Sequence, residues 1–349
     1  MTPSLRILYV GPLVTGSTCR HRLVALRNLG HDVVEVDQLP GDLARVHDSF
    51  GWRVQRRLFG DRDDSRLNVR MLEVPRGFAP DVVWVDKGLT VEPATLIALR
   101  ERWPEAIQLN YSGDDMFNPR NQTATWRGCL PLYDLCVTTK SFNVPELKAA
   151  GAREVQFVDK GFSPEVHRPH QVTPELRERL GGDVGFVGWP EAARERSIRH
   201  LARNGIEVRI WGPWPRHQSA PNIRIEGRPV WEDEYAQALS SFRINLGFLR
   251  RANRDLQTTR SVEIPACGGF LLAERTPEHE RLFRENVEAV FFSDDDELLE
   301  KVRYYLAHDD ERARIAAAGY RRCIDDGYAY DRRLDFILGR ALGLRGVAA

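Results

Sequence analysis

Short apolar runs rich in β-branched residues alternate with amphipathic stretches along the whole chain. The runs lie at 5–10, 33–36, 82–86, 107–111, 135–138 and 155–158, and resume at 184–187, 208–211, 223–226, 244–248, 270–272 and 290–292. They are apolar at nearly every position, not every second one. That marks strands covered on both faces, as in parallel sheets with helices on each side. Twelve such strands exceed one comfortable sheet, so the pattern predicts an α/β protein of two doubly wound, Rossmann-like domains with about six strands each. Helical spacing is read at 22–29, ending at Gly30, and at 296–307, 309–325 and 330–342. The helix over 296–307 gathers Leu298, Leu299, Val302, Tyr305 and Leu306 on one face. Residues 159–183 carry Pro164, Pro169, Pro174 and a Gly181-Gly182 pair among polar residues, the composition of a linker. The expected organisation is a first domain over 1–165, a second over 166–328, and a C-terminal helix within 329–349 that crosses back to the first.

Composition narrows the class. The chain has 349 residues, of which 42% are hydrophobic and 29% charged, as in a soluble globular protein. Lys plus Arg and Asp plus Glu both number 50, so net charge gives no argument for nucleic acid or a membrane surface. Most basic residues are Arg, which favours bidentate anion contacts. Cys19, Cys129, Cys136, Cys267 and Cys323 are scattered without a CxxC, as expected of reduced thiols in a cytoplasmic protein. The run at 5–10 ends at Gly11-Pro12 and is too short for a signal peptide, and no run is long enough to span a membrane. The histidines show no zinc-site spacing.

The densest candidate chemistry begins at Asp255. Glu263 follows eight positions later in a short helix that closes at Gly268-Gly269 before an apolar strand. Two carboxylates beside a helix start and a glycine-tight turn suit the hydroxyls of a sugar nucleotide, and the helix N-terminus suits its phosphates. That combination points to glycosyl transfer. Gly188 closes the first strand of the second domain, and Arg194, Arg196 and Arg199 follow on a helix. Guanidinium groups there can clamp a diphosphate; for Arg196 and Arg199 the alternative is a solvated face paired with Glu191 and Glu195. Trp214, after another strand, is either a base-stacking ring or a packing residue. In the first domain, Gly16 and Ser17 lie in the turn after the first strand, where doubly wound sheets bind ligands. That turn is neither GxGxxG nor a Walker loop, and an ordinary βα turn is its alternative. Asp114 and Asp115 follow the strand at 107–111; either can take a proton from an acceptor hydroxyl if burial raises its pKa, or cap a helix. Asp294-Asp295-Asp296 matches the D-x-D of metal-dependent transferases. With Ser293 it opens an amphipathic helix, however, and reads as capping and first-turn charge. Between 40 and 70, Phe50, Trp52, Leu58 and Phe59 alternate with Arg45, Arg53, Arg56 and Arg57, reading as an acceptor or solvated loop ahead of a membrane-surface helix.

From 255 onward the chain resembles a known family. The stretches RSVEIPACGGFLL, ERTPEHERLF, VFFSDDDELLEKVRYYLAHDDERARIAAAGYRR and YAYDRRLDFIL are similar, in order and spacing over roughly 180–340, to the C-terminal domain of the CgeB-like glycosyltransferases. These are group 1 enzymes of the GT-B architecture. The first half is similar more loosely, through RILYVGP, LRNLGHDVVEVD and PDVVWVDKG. The resemblance implies two Rossmann-like domains with an interdomain cleft, a nucleotide-sugar donor on the second domain and an acceptor entering from the first. It implies that Glu263 holds the donor ribose hydroxyls and that Asp255 faces the donor sugar. The backbone of 256–259, with Thr258 and Thr259, would approach the phosphates, and Arg194 would be the basic residue after the V-G strand. Gly188, Gly268 and Gly269 would complete the donor set. Two positions depart from the family: Asp255 stands for a Glu and Trp189 for an Arg, with Arg260, one turn before Glu263, placed to compensate. The resemblance further implies no metal and no cofactor beyond the nucleotide-diphosphate sugar. It leaves open whether the acceptor is a glycan, a lipid-linked sugar, a small molecule or a protein, and is compatible with peripheral membrane contact. The Asp255–Glu263 spacing leans toward retention at the anomeric centre, and an Asp114 or Asp115 base toward inversion. The rival expectations are a nucleotide-sugar 2-epimerase of the same architecture and a non-catalytic envelope or spore-coat assembly factor.

Overall fold

The computed structural model describes residues 2–41, 61–215 and 220–345. It divides into two compact units, Met1–Asp159 with Tyr330–Ala349, and Lys160–Ala329. Every expected run forms a strand, and each unit holds one six-stranded parallel sheet. The aromatic and arginine residues between 45 and 59 lie outside the described residues.

The first sheet joins β1 (Arg6–Gly11), β2 (Asp32–Asp37), β3 (Val82–Asp86), β4 (Ile107–Ser112), β5 (Leu135–Thr138) and β6 (Val155–Phe157) in the order β2-β1-β3-β4-β5-β6. Its described helices are α1 (Thr18–Asn28), α2 (Leu67–Glu73), α3 (Pro93–Arg102), α4 (Ala124–Cys129), α5 (Asn143–Ala149) and, from the end of the chain, α13 (Tyr330–Arg345). Alternate strand residues feed two cores, which is why the strands are apolar throughout. Leu8, Val10, Val83 and Val85 face Met71, Leu96 and Leu99, while Ile7, Tyr9, Val82 and Trp84 face Leu23 and Leu26 of α1. Leu334, Ile337, Leu338 and Ala341 recur at helical spacing along α13 and join that second core, which ties the last helix to the first unit.

The second sheet joins β7 (Gly182–Val187), β8 (Val208–Trp211), β9 (Ile223–Ile225), β10 (Phe242–Gly247), β11 (Leu271–Glu274) and β12 (Val290–Phe292) in the order β12-β11-β10-β7-β8-β9. Around it lie α6 (Pro174–Leu180), α7 (Ala192–Arg203), α8 (Glu232–Ser241), α9 (Arg260–Ala266), α10 (Pro277–Leu282), α11 (Asp295–Ala307) and α12 (Asp309–Asp325). Two local expectations change. Residues 160–183 belong to the second unit and are not a free linker; Pro174 is the first residue of α6, behind a Thr173 cap that accepts from Leu176 N–H, a place proline favours. At the start of α11 the cap is Asp294, not Ser293: its Oδ1 accepts from the Asp296 and Glu297 amides at 3.0 and 2.8 Å. The D-x-D match is thus helix capping.

Candidate functional site

In the second sheet the chain order reverses between β7 and β10, and open α/β sheets bind ligands at the carboxyl ends of strands beside such a reversal. Two guanidinium groups meet there. Arg194, in the first turn of α7, donates from Nε to the Leu249 carbonyl at 3.0 Å and from Nη1 to the Trp189 carbonyl at 2.9 Å. These bonds fasten the segments that follow β7 and β10 to each other. Arg260, which opens α9, donates from Nη2 to the Phe248 carbonyl at 3.3 Å. Both guanidinium groups lie over the Phe186 ring, 5.4 and 5.6 Å from its centroid. Burial, reinforced by the Arg260 charge, pulls Arg194 down to about 10. Asp255 and Arg250 stand in the same field. The Arg260 Nε is buried without a hydrogen-bond partner. Two crowded cations with an unfilled N–H can take up an anion, with the Glu191 carboxylate, 3.9 Å from Arg194 Nε, as a partial counterion.

Gly188 packs too tightly for any side chain: a Cβ would meet the Phe186 ring at 2.7 Å. Its carbonyl accepts from Trp214 Nε1 at 2.7 Å, and Trp214 itself is buried edge-on against Phe186. The possible base-stacking ring is therefore a packing residue. Trp189, in contrast, is 64% exposed. Arg199 pairs with Glu195 and Arg196 with Asp295, so both serve the solvated face of α7.

The segment from Asp255 to Thr259 is fastened by α10 and the turn before it. Gln257 is fully buried, donating to Glu278 Oε2 at 2.8 Å and accepting from the Lys160 amide at 3.0 Å. Thr276 Oγ1 donates to the Leu256 carbonyl at 2.6 Å. The Thr258 amide donates to Ser261 Oγ at 3.0 Å, and Ser261 Oγ lies 2.7 Å from His279 Nε2. His279 Nδ1 faces the Glu274 carbonyl at 2.6 Å, so it carries the proton, and Nε2 accepts from the Ser261 hydroxyl. Burial holds His279 down to about 4 and therefore neutral, against the opposing pull of the Glu274 carbonyl and Asp255. Asp255 accepts from Asn253 Nδ2 at 2.7 Å.

Glu263 sits within α9 at 4% exposure, where the Tyr235 hydroxyl donates to Oε2 at 2.6 Å. Gly268 turns the chain out of α9 at φ +71, and a Cβ on Gly269 would lie 2.9 Å from the Leu239 carbonyl. Gly268 is favoured by its left-handed backbone and Gly269 by close packing. Thr259 caps α9 through its backbone without a side-chain bond.

The first unit places its candidates at the carboxyl edge of its own sheet. Gly16 adopts φ +76, and the Ser17 hydroxyl is used locally, accepting from the Arg20 amide at 3.2 Å and donating to the Pro12 carbonyl at 2.6 Å. Ser17 is thus the α1 cap. Asp115 is 1% exposed, and its Oδ1 accepts from the Phe117 amide and Asn143 Nδ2 at 3.1 and 3.0 Å, a turn-forming role. Asp114 instead keeps 35% of its side chain exposed and pairs with Lys87 Nζ at 2.7 Å. Lys87 is held at φ +60, with Asn110 Nδ2 donating to its carbonyl at 3.1 Å. Beside it Arg22 grips Asp86 at 2.8 and 3.1 Å, and the Tyr9 hydroxyl donates to the same carboxylate.

Residues 172–339 match a family model described as glycosyl transferase-like, which spans nearly all of the second unit and runs on into α13. The second unit is thus similar in sequence to glycosyl transferases. The fold of the chain as a whole is the GT-B fold, shared with solved structures at low sequence identity. A glycosyltransferase from Rickettsia africae superimposes with a TM-score of 0.67 at 14% identity, over 98% of this chain and 99% of that one. HepE from Anabaena, solved with UDP and glucose, gives 0.65 at 11% identity over 96% and 100%. Sucrose-phosphate synthase from Thermosynechococcus elongatus gives 0.64 at 11% identity over 97% and 99%. No curated protein sequence matches the chain.

Within the second unit, the structure brings Arg194, Arg260 and Asp255 into one field and sets Glu263 on the helix that Arg260 opens. Tyr235, His167, Gln257, Ser261 and His279 were not legible as site residues. Their partners lie up to 97 positions away, at Lys160–Gln257, and no local pattern announces them. The nearest signal is Thr276-Pro277, a cap and first-turn pair that marks the start of α10. Among the described residues no group of three or more His, Cys, Asp or Glu is placed to hold a metal ion, and no helix is long and apolar enough to cross a membrane.

Proposed function

We propose that the chain is a glycosyltransferase of the CgeB-like branch that moves a sugar from a nucleotide-diphosphate sugar to a hydroxyl of an acceptor. The meeting of Arg194, Arg260 and Asp255 beside the β7–β10 reversal, with Glu263 three residues after Arg260, carries this reading. The arginine pair takes the diphosphate and stabilises it as it leaves, since preorganised cations act most strongly where negative charge develops. Glu263 takes the ribose, and Asp255 faces the sugar. On the acceptor side, Asp114 is the carboxylate with an exposed face and is assigned the acceptor hydroxyl. In this scheme side chains supply the positive charge, without a metal or a cofactor besides the co-substrate. The UDP and glucose bound to the Anabaena relative support a nucleotide-sugar ligand for this fold.

The test offers radiolabelled UDP-glucose, UDP-N-acetylglucosamine, GDP-mannose and ADP-glucose, each with glucose, glycerol and octyl glucoside as acceptors. Nucleoside diphosphate release with label moved to an acceptor, lost in Arg260→Ala, is the expected result. Label released as a free epimer would make the protein an epimerase. Turnover that survives unchanged in Arg260→Ala would remove the arginine pair from the mechanism.

A further inference from the structure

The chain turns sharply where it leaves β3. Lys87, the residue after that strand, has φ +60, and Gly88 follows at φ +70. A lysine gains nothing from the left-handed region, which glycine or asparagine enters more cheaply. Among the described residues of the first unit, Arg66 and Ala79 also have positive φ, but both stand at helix ends. Lys87 stands instead at the carboxyl edge of the sheet, where doubly wound folds bind ligands.

Four segments hold the backbone and flank of this residue. Gln38 Nε2 donates to the Asp86 carbonyl at 2.9 Å, and the Lys87 amide donates to the Tyr111 carbonyl at 2.7 Å. Asn110 Nδ2, buried, donates to the carbonyls of Val85 and Lys87 at 3.2 and 3.1 Å. Arg22 and Tyr9 grip the Asp86 carboxylate. A strained conformation held this firmly points to what it presents. It presents the Lys87 ammonium, 2.7 Å from Asp114 Oδ2, with 32% and 35% of the two side chains exposed. An ion pair that exposed contributes too little to offset backbone strain by itself.

As a ligand site the pair has a definite chemistry. An ammonium only donates and a carboxylate only accepts, whereas a sugar hydroxyl does both. The two charged atoms lie one hydrogen-bond length apart, close to the separation of the oxygens in a vicinal diol. One hydroxyl can give its proton to Asp114 while the neighbouring oxygen accepts from Lys87.

We propose that Lys87 is a specificity-determining acceptor residue which, with Asp114, selects an acceptor carrying vicinal hydroxyls on a ring, a sugar, over one with an isolated hydroxyl. This rests on the acceptor role given to Asp114 above. Saturation-transfer NMR on the full chain, with UDP, GDP and ADP present, titrates glucose, methyl glucoside and cyclohexanol. Wild type should bind the two sugars and not cyclohexanol. Lys87→Met and Lys87→Gly should each weaken sugar binding about tenfold or more, the scale of one hydrogen bond to a charged group, with nucleotide affinity unchanged in calorimetry. Lys87→Gly should also melt within about 2 °C of wild type, because relief at φ +60 offsets the entropy that glycine adds to the unfolded chain. Lys87→Met carries the comparison should Lys87→Gly fail to fold. Sugar affinity unchanged in a folded variant, cyclohexanol bound as tightly as glucose, or no sugar binding at all overturns the proposal. The transferase reading is scored separately: nucleotide binding that depends on Arg260 keeps it, and binding of no nucleotide removes it.

Discussion

Protonating His279 should unfasten the segment that leads into α9, and the cost can be worked from the structure. The ring is neutral, its Nδ1 proton directed at the Glu274 carbonyl and its Nε2 lone pair filled by Ser261. A second proton would land on Nε2, so the Ser261 hydroxyl would lose its acceptor and the Thr258 amide its fixed partner. Burial sets the folded pKa at about 4, below the ordinary histidine value. As pH falls, the unfolded chain therefore binds this proton first. Stability from this group is full above an unfolded pKa of about 6.5, declines between there and about 4, and is flat below. Between pH 7.5 and pH 5 the loss comes to about 2 kcal/mol. For a domain of this size that corresponds to about 4–8 °C of unfolding midpoint. Calorimetry of the wild type and His279→Gln from pH 7.5 to pH 4.5 isolates the effect, because every other titrating group is common to both. The second unit's transition is identified as the one the substitution displaces at pH 7.5. The wild-type midpoint should fall more steeply by that amount; parallel profiles would refute the argument.

Two further outcomes follow from the same geometry. Arg260→Ala should leave the melting temperature within about 1 °C, since its one bond is long, yet weaken nucleoside diphosphate binding by about tenfold or more in titration calorimetry. Arg194→Ala should weaken nucleoside diphosphate binding and also destabilise the protein, by about 1–3 kcal/mol in denaturant titration, because the Leu249 and Trp189 carbonyls lose their donors. The adjacent aspartates should separate in the opposite sense: Asp115→Ala destabilises by about 1–3 kcal/mol through its unfilled donors, whereas Asp114→Asn keeps stability and nucleotide affinity and loses sugar transfer in a radiolabel assay.

The sheets were legible because burial on both faces writes itself as continuous apolar runs, such as Val82 to Val85 with every side chain buried. Local composition misled at Pro174, which looks like linker chemistry and is helix-start chemistry. Asp255 and Glu263 were visible because only seven residues separate them. Their supporting shell was not, because Tyr235 to Glu263 spans 28 positions and crosses from one helix to another, and sequence periodicity carries no record of such pairings. Asp114 and Asp115 were indistinguishable as neighbours; only burial tells the turn-forming residue from the exposed one.

The central claim is that Glu263 belongs to a nucleotide-sugar site. It is tested most directly by a thermal-shift panel of UDP, GDP, ADP, dTDP and their common sugars on wild type and Glu263→Ala. Ligand at about 100 times its Kd stabilises by roughly 2.7 kcal/mol, a readable shift. The account predicts that a ribonucleotide and its sugar raise the wild-type midpoint and that Glu263→Ala, folded, loses the shift. A shift of equal size in both proteins, or none with any nucleotide, would contradict it.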